Sequence, residues 1–164
     1  MKHMIELLVL FTTYGVFCLL SLVGLHSKEN NMPQMANITI KKADGTTDVV
    51  YTALTPSSGD RTKAVWRVES IGAIPGNRPI LEISSKASQN GQARIVEGKM
   101  SYPETYTDST TGVIAVRLRD VGSFVTTVDQ RGVDTTHNEM AAQFANLLSS
   151  ALVQSIISTG YNAT

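Results

Sequence analysis

The sequence predicts an α+β fold: an N-terminal β-hairpin, an antiparallel meander sheet, and then two C-terminal helices or one bent helix. Two patterns carry this prediction. Between residues 37 and 129, apolar and polar residues alternate in short segments separated by turn residues, which is typical of half-buried strands. After residue 132 the apolar residues follow a helical period instead, so all of the predicted helix comes after the sheet.

Composition and charge limit the size and the kind of molecule. The chain has 164 residues, 42% of them hydrophobic, which allows one domain with a modest core and an appendage. The formal net charge is zero, so any surface that binds anions requires charges sorted between faces. The single cysteine, Cys18, excludes an internal disulfide and a cysteine-based zinc site.

The appendage is an apolar leader with two interpretations. Residues 4–25 are almost continuously apolar and long enough to span a bilayer as a membrane anchor. Alternatively, Lys28-Glu29 can be encoded as AAG-GAG, a ribosome-binding sequence, and translation would then begin at Met32 or Met35. The sequence therefore predicts a leader over residues 1–34, either an untranslated upstream extension or a membrane anchor, and a domain over residues 35–164.

The strands follow from alternation and turn signals. Asp44-Gly45 is a strong hairpin turn, and Pro103 is expected to end the fifth strand before a polar loop over residues 104–111. The first five predicted strands cover residues 38–42, 49–54, 64–70, 80–87 and 94–102.

The longest strand is predicted over residues 112–129, well beyond the usual five or six residues. Because one face is apolar and the other carries a basic pair, one face needs a cover and the other can meet an anionic partner. The apolar face is predicted to hold Ile114, Val116, Leu118, Phe124 and Val128, and the opposite face Arg117, Arg119, Ser123 and Thr127.

The C-terminal helical run begins at a capping-box spacing over residues 136–139, bends near residues 147–150 and stops at Gly160. Its broad apolar stripe and the open edge of the sheet both require burial. An obligate dimer that continues the sheet and exchanges helices would satisfy both, and a tightly closed monomer is the alternative. The residues predicted at the dimer interface are Phe144, Leu148, Leu152 and Ile156.

The order hairpin, meander, long last strand and C-terminal helices occurs here with Met-Ala-Asn at residues 35–37, Ala-Val-Trp at residues 64–66 and a polar loop at residues 103–112. With these features the chain resembles the coat proteins of small single-stranded RNA bacteriophages, the levivirus-like phages. The resemblance covers residues 35–164.

The resemblance implies a capsid subunit that dimerises, closes an icosahedral shell in the bacterial cytoplasm and resides in the virion. It also implies that the uncovered sheet face binds genomic RNA, that an RNA hairpin bound there represses translation, and that the loop over residues 102–112 takes more than one conformation at symmetry axes. Strand parity independently gives the uncovered face a small basic excess. Combined, these indications predict RNA contacts at Arg67, Ser84, Lys86, Lys99, Arg117, Arg119 and Ser123. Val121 stands where family members can place a stacking tyrosine, which argues against specific hairpin recognition.

Other function classes find less support in the sequence. His137 lies in a capping sequence without partners, and no residues have catalytic or metal-ligand spacing, so we predict no enzyme activity, no cofactor and no small-molecule substrate. The main alternative is a membrane-anchored pilin-like or surface β-domain that uses the leader, in which case the membrane is a partner only if residues 1–34 are retained. A small hydrolase or ligand-binding β-domain is the third class.

Overall fold

The computed structural model describes residues 33–163. The distribution of contacts divides the chain after Gln34, into Met1–Gln34 and Met35–Thr164. Of the first unit only Pro33 and Gln34 are described, so the predicted leader lies almost wholly outside the described residues. Both interpretations of the leader therefore stay predictions.

The described region is an antiparallel sheet followed by two helices, which confirms the predicted fold class. All six strands form one sheet in chain order, from β1 at one edge to β6 at the other. A short 3₁₀ turn, Pro75–Asn77, lies between the third and fourth strands. The strands are β1 (Ile38–Lys41), β2 (Asp48–Thr55), β3 (Lys63–Val68), β4 (Ile80–Ala87), β5 (Ala93–Thr107) and β6 (Ile114–Asp129), and the helices are α1 (Asp134–Ser149) and α2 (Ala151–Thr159).

The predicted hairpin between β1 and β2 forms around Asp44. Its carboxylate accepts hydrogen bonds from the backbone N–H groups of Thr46 and Thr47, both at 2.8 Å, and from the Thr47 hydroxyl at 2.6 Å. Gly45 adopts φ 70°, which a residue with a side chain rarely does. These hydrogen bonds, with that of the Thr47 side chain the largest cause, hold the pKa of Asp44 well below its usual value.

Strand register assigns every strand residue to one of two sheet faces, because residues paired across strands point to the same side. The pairs Trp66–Leu81, Leu81–Met100 and Ile83–Gly98 connect the strands on one side, with Phe124 opposite Gly98. We call this side the aromatic face, since it carries Tyr51, Trp66, Tyr102, Tyr106 and Phe124. We call the other the polar face; its central positions are Arg67, Ser84, Lys86, Lys99 and Ser123.

The core lies on the aromatic face of β2 and β3. Val49, Tyr51, Trp66 and Val68 are buried there, and Met35 packs against the cluster. The Trp66 indole N–H donates a hydrogen bond to the carbonyl of Ala36 at 2.8 Å, which fixes the segment that precedes β1. Burial raises the pKa of the Tyr51 hydroxyl, with a smaller contribution from Tyr102.

Strand β5 does not end at Pro103, and this prediction was wrong. The strand continues to Thr107, with Pro103 paired to Arg119. The pairing of β4 with β5 stops at Ser101, so at Pro103 β6 is the only one of the six described strands that pairs with β5. Proline lacks a backbone N–H but is tolerated on such an edge. The remaining loop is a short turn in which Asp108 accepts hydrogen bonds from the N–H groups of Thr110 and Thr111.

The predicted apolar face of β6 is also interrupted. Glu104 pairs with Leu118 and Thr105 pairs with Val116, so Arg117 is the extra residue of a β-bulge. The bulge shifts the alternation by one residue. As a result Ile114 and Val116 share the polar face, whereas Leu118, Phe124 and Val128 lie on the aromatic face.

The helices begin earlier than predicted and bend where predicted. Helix α1 starts at Asp134 after the turn at Gly132, and its N-cap, Val133, makes no side-chain capping bond, so the predicted capping box is wrong. The acidic Asp134 in the first turn complements the helix dipole instead. The chain bends by 57° between the helices at Ser150. Gly160, with φ 73°, ends α2 as expected.

Candidate nucleic-acid interface

The polar face brings together nearly all of the predicted RNA-binding residues. Across β4, β5 and β6 the register aligns Glu82 with Lys99 and Ser123, and Ser84 with Glu97. The predicted residues that share this face are Arg67, Ser84, Lys86, Lys99, Arg119 and Ser123. Arg117 is the exception, because it is the extra residue of the bulge. Its guanidinium lies 3.9 Å from the carboxylate of Glu104, a residue of the aromatic face.

Most cations of this face are already paired with carboxylates. Lys86 Nζ lies 2.5 Å from Glu97 Oε1 across the β4–β5 pair. Lys63 Nζ lies 2.7 Å from Glu82 Oε2 across the β3–β4 pair. Because each pair compensates the charge of its lysine, much of the basic content that the sequence shows is not available to an external anion.

Arg67 is paired in the same way, although its partner lies beyond the end of β3. Both its Nε and its Nη2 donate to Glu69 Oε1, at 2.8 and 2.7 Å, and Glu69 also accepts from Arg78. Arg78 in turn donates to the carbonyl of Gly72. This network orders the connection between β3 and β4 and leaves Arg67 compensated.

Two strand cations of the polar face have no such partner. Within residues 33–163, neither Lys99 nor Arg119 makes an ion pair or a side-chain hydrogen bond, and both are exposed. Glu82 lies opposite Lys99, but its carboxylate is engaged with Lys63. Among the strands, the uncompensated positive charge of the face therefore lies on β5 and β6, at the edge of the sheet.

An open recess of about 900 Å³ lies at the β4–β5 hairpin end of the polar face. Ser84 and Lys86 line it together with side chains of the turn, of which Asn90 is held by a hydrogen bond from Ser88. Glu97 lines the same recess and pairs with Lys86. Arg61, from the loop between β2 and β3, also lines it and makes no ion pair or side-chain hydrogen bond among the described residues, so the recess carries one unpaired cation.

No aromatic residue of the described strands lies on the polar face, since all of them are on the aromatic face. Val121, the residue that stands where a stacking tyrosine was considered, is 54% exposed on the polar face. Val125 is 64% exposed two positions further along the same face. The face can contact bases with hydroxyls and aliphatic groups, but it has no ring on which a base could stack.

The helices form a second candidate surface. Neither α1 nor α2 has a buried residue. Phe144 makes a tilted ring contact with Phe124 of the sheet, with centroids 6.4 Å apart, whereas Leu148 and Leu152 of the predicted dimer interface are exposed and Ile156 is partly buried. The exposed fractions of Leu147, Leu152 and Ile157 are 61%, 63% and 66%. This apolar surface has no cover within the described subunit.

Solved structures similar to this chain come from phage particles. The chain in the virus-like particle of Beihai levi-like virus 21 is 18% identical, with a TM-score of 0.68 and coverage of 80% of this chain and 99% of that chain. That of bacteriophage NT-214 is 16% identical, with a TM-score of 0.68 and coverage of 80% and 100%. The bacteriophage GA protein capsid is 15% identical, with a TM-score of 0.61 and coverage of 77% and 95%. No protein-family model and no curated protein sequence matches the chain.

The chain has the RNA-bacteriophage coat-protein fold. The match extends over almost the whole of each similar chain and includes the sheet and both helices. The predicted resemblance is therefore confirmed at the level of the fold.

Among residues 33–163 no group of three or more His, Cys, Asp or Glu side chains could hold a metal ion. Over the same residues no single helix is long and apolar enough to cross a membrane, although α1 and α2 together pass that test by length and composition as a bent pair.

One residue of the polar face was not predicted from the sequence. Lys63 lies on the polar face and pairs with Glu82, but the third strand was predicted to begin one residue later. The signal was present, since Lys63 has the same parity as Val65 and Arg67.

Proposed function

We propose that the chain is the structural subunit of a phage capsid, which dimerises, assembles into an icosahedral shell and holds genomic RNA on the polar face of its sheet. The observation that carries the proposal is the uncovered apolar surface of α1 and α2 in a chain that has the coat-protein fold. We also propose that assembly takes place in the bacterial cytoplasm and that the mature location is the virion.

The exposed helices support a second copy of the chain as the partner. Burying a leucine or isoleucine side chain stabilises an interface by about 1.5–3 kcal/mol, and a two-fold dimer would bury the same side chain of both subunits. The aromatic face of β5 and β6 also leaves Met100, Tyr102 and Leu118 exposed. Helices of one copy laid over this surface of the other would cover both. The interface would exceed about a thousand square ångströms, as obligate dimers require.

The edge of the sheet supports the same partner. Strand β6 has β5 on one side, and within the described subunit no strand pairs with its other side over the length Ile114–Asp129. Such a long unpaired edge is a template for another strand. Two β6 edges joined around a two-fold axis would continue the sheet and bring two polar faces together on one side. The predicted repression of translation through an RNA hairpin stays a prediction.

The experiment tests the apolar surface with a matched pair of substitutions. Leu152→Asp and Gln154→Asp each place one carboxylate in α2, on opposite sides of the helix because two residues span about 200°. We expect uniform round particles from the unmodified chain and from Gln154→Asp, and neither dimers nor particles from Leu152→Asp, since a buried unpaired charge costs several kcal/mol.

The readouts are light scattering after size exclusion, and electron microscopy, for the whole chain and for a chain starting at Met35. A folded, soluble monomer from the unmodified chain in both forms would overturn the proposed function. Recovery of the whole chain in the membrane fraction, without particles, would instead favour the anchored surface domain.

A further inference from the structure

We propose that the polar face binds the phosphate backbone of single-stranded RNA without base selection, through a cationic stripe formed by Lys99 and Arg119 of both subunits of a dimer. The proposal rests on the proposed capsid function and names how its RNA is held. Lys63, Arg67 and Lys86, although basic and on the same face, lie outside the stripe.

Paired and unpaired cations of the polar face differ in how strongly they can attract a phosphate. Affinity for RNA arises mainly when cations neutralise phosphates and release counterions. A lysine 2.5–2.7 Å from a carboxylate, as in Lys86–Glu97 and Lys63–Glu82, is already neutralised, and a phosphate must displace the carboxylate to gain the same interaction. Among residues 33–163, Lys99 and Arg119 are the polar-face strand cations that need no such displacement.

Lys99 and Arg119 lie near the open edge of the sheet. Arg119 lies on the edge strand and Lys99 one strand inward; Lys99 pairs with Ser123, four residues from Arg119. Strand geometry separates the two by about 13 Å along the sheet and about 5 Å across it. If two β6 edges join, four cations lie in a band three strand spacings wide, about 14 Å. This band is wider than the Debye length at physiological salt, about 8 Å, so each cation acts on its own phosphate, and the counterions released at the four contacts add.

The described strands place no side chain beside the stripe on which a base could stack. The side chains beside the stripe are Ser101, Val121, Ser123 and Val125, together with Glu82 and Glu97, whose carboxylates pair with Lys63 and Lys86. The described strands place no aromatic ring on this face. Single-strand binders that distinguish or grip bases do so largely by stacking on aromatic side chains. Without such rings, the affinity depends on phosphate contacts.

The experiment measures the salt dependence of RNA binding by three variants of the whole chain, at protein concentrations too low for shell formation. The probes are fluorescent 20-nucleotide oligouridylate and oligocytidylate, followed by fluorescence anisotropy. One variant, Lys99→Gln with Arg119→Gln, removes the stripe. A charge-neutral control replaces Lys63, Glu82, Lys86 and Glu97 with glutamine. The third variant, Glu82→Gln with Glu97→Gln, releases two lysines per subunit.

The expected sizes follow from counterion release. Four phosphates at about 0.7 ions each make the unmodified dimer's affinity fall about fifty-fold between 50 and 200 mM salt, and the stripe variant loses this dependence. The neutral control keeps this dependence of RNA affinity on salt. The third variant gains a similar additional dependence, because it frees four lysines per dimer. Both probes should bind within about threefold of each other, since the contacts are to phosphates. Purified particles of the stripe variant should hold less RNA than those of the control.

The stripe would be overturned if the unmodified chain forms particles and binds RNA, but the neutral control binds RNA as weakly as the stripe variant does. A stripe variant with unchanged salt dependence, or a preference above about tenfold for one probe, would also overturn it. An unmodified chain that stays monomeric and binds neither probe would overturn the capsid function itself.

Discussion

Replacing Gly98 with alanine should loosen the contact between the sheet and α1. Gly98 lies on the aromatic face of β5, paired with Phe124 of β6. A Cβ atom at Gly98 would overlap ring carbons Cε1 and Cζ of Phe124. That ring packs at 59° against Phe144, the aromatic contact between the helices and the sheet among the described residues. Without a Cβ at Gly98, the ring can lie directly on the backbone of β5.

The magnitude follows from three effects. Forcing a side chain out of a packed position costs about 1–3 kcal/mol. Loss of the Phe124–Phe144 ring contact adds about 0.5–1.5 kcal/mol. Alanine restricts the unfolded chain and offsets about 0.4–1 kcal/mol. The net effect of Gly98→Ala is a destabilisation of about 1–3 kcal/mol.

The assay is urea unfolding at one fixed protein concentration, because dimer stability depends on concentration. Gly122→Ala is the matched control: Gly122 lies on the same face of the adjacent strand, and its added Cβ meets nothing within 4 Å in the subunit. Phe124→Leu removes the overlapping ring carbons, so Gly98→Ala should cost little in that background. Equal, additive costs of Gly98→Ala with and without the Phe124 ring would refute the reasoning.

Two further predictions concern the start of the domain and the β5–β6 turn. Trp66→Phe removes the indole N–H that donates to the Ala36 carbonyl and should lower the free energy of unfolding by about 1–2 kcal/mol; an unchanged urea midpoint would show that this bond is not needed. Asp108→Ala should speed hydrogen exchange of the Thr110 and Thr111 amides at pH 7, with unchanged rates speaking against the turn. The hydrogen bonds from these amides, that of Thr111 first, hold the pKa of Asp108 below 3.8. A carboxyl group whose pKa is lower in the folded state stabilises that state at every pH above its unfolded pKa, and this stabilisation is lost only as the pH falls through the folded pKa. The unmodified turn should therefore stay closed between pH 8 and 5, and opening within that range would contradict the assignment.

The elements that depend on local signals were predictable from the sequence. The fourth strand was predicted and found over residues 80–87, because its alternation is regular and turn residues bound it on both sides. The helix bend at Ser150 and the stop at Gly160 were likewise predicted, since both depend on residues within one helical turn. The sharing of one face by Ser84, Lys86 and Lys99 followed from strand order and parity alone.

The features that depend on a neighbouring strand were not predictable. From the local sequence, Pro103 predicts the end of a strand. Strand β5 can continue past Pro103 because its pairing with β4 ends at Ser101, which only the structure shows. The bulge at Arg117 is a property of the register between β5 and β6, so parity counted along β6 alone gave Val116 the wrong face. The pairing of Lys86 with Glu97 was hidden for the same reason, because the two residues meet only across strands.

The separation of side chains between the two faces gives one sheet two independent contact surfaces. Every aromatic residue of the described strands lies on the face that carries the core, and no charged residue occurs from position 140 to 164, where the exposed helical surface lies. Contacts on that side therefore depend on apolar burial and change little with salt. In the proposed RNA interface Lys99 and Arg119 would act through charge, and salt would weaken their contacts. We therefore expect a shell built this way to release RNA at high salt while its subunits stay joined, because different physical forces would hold the two partners.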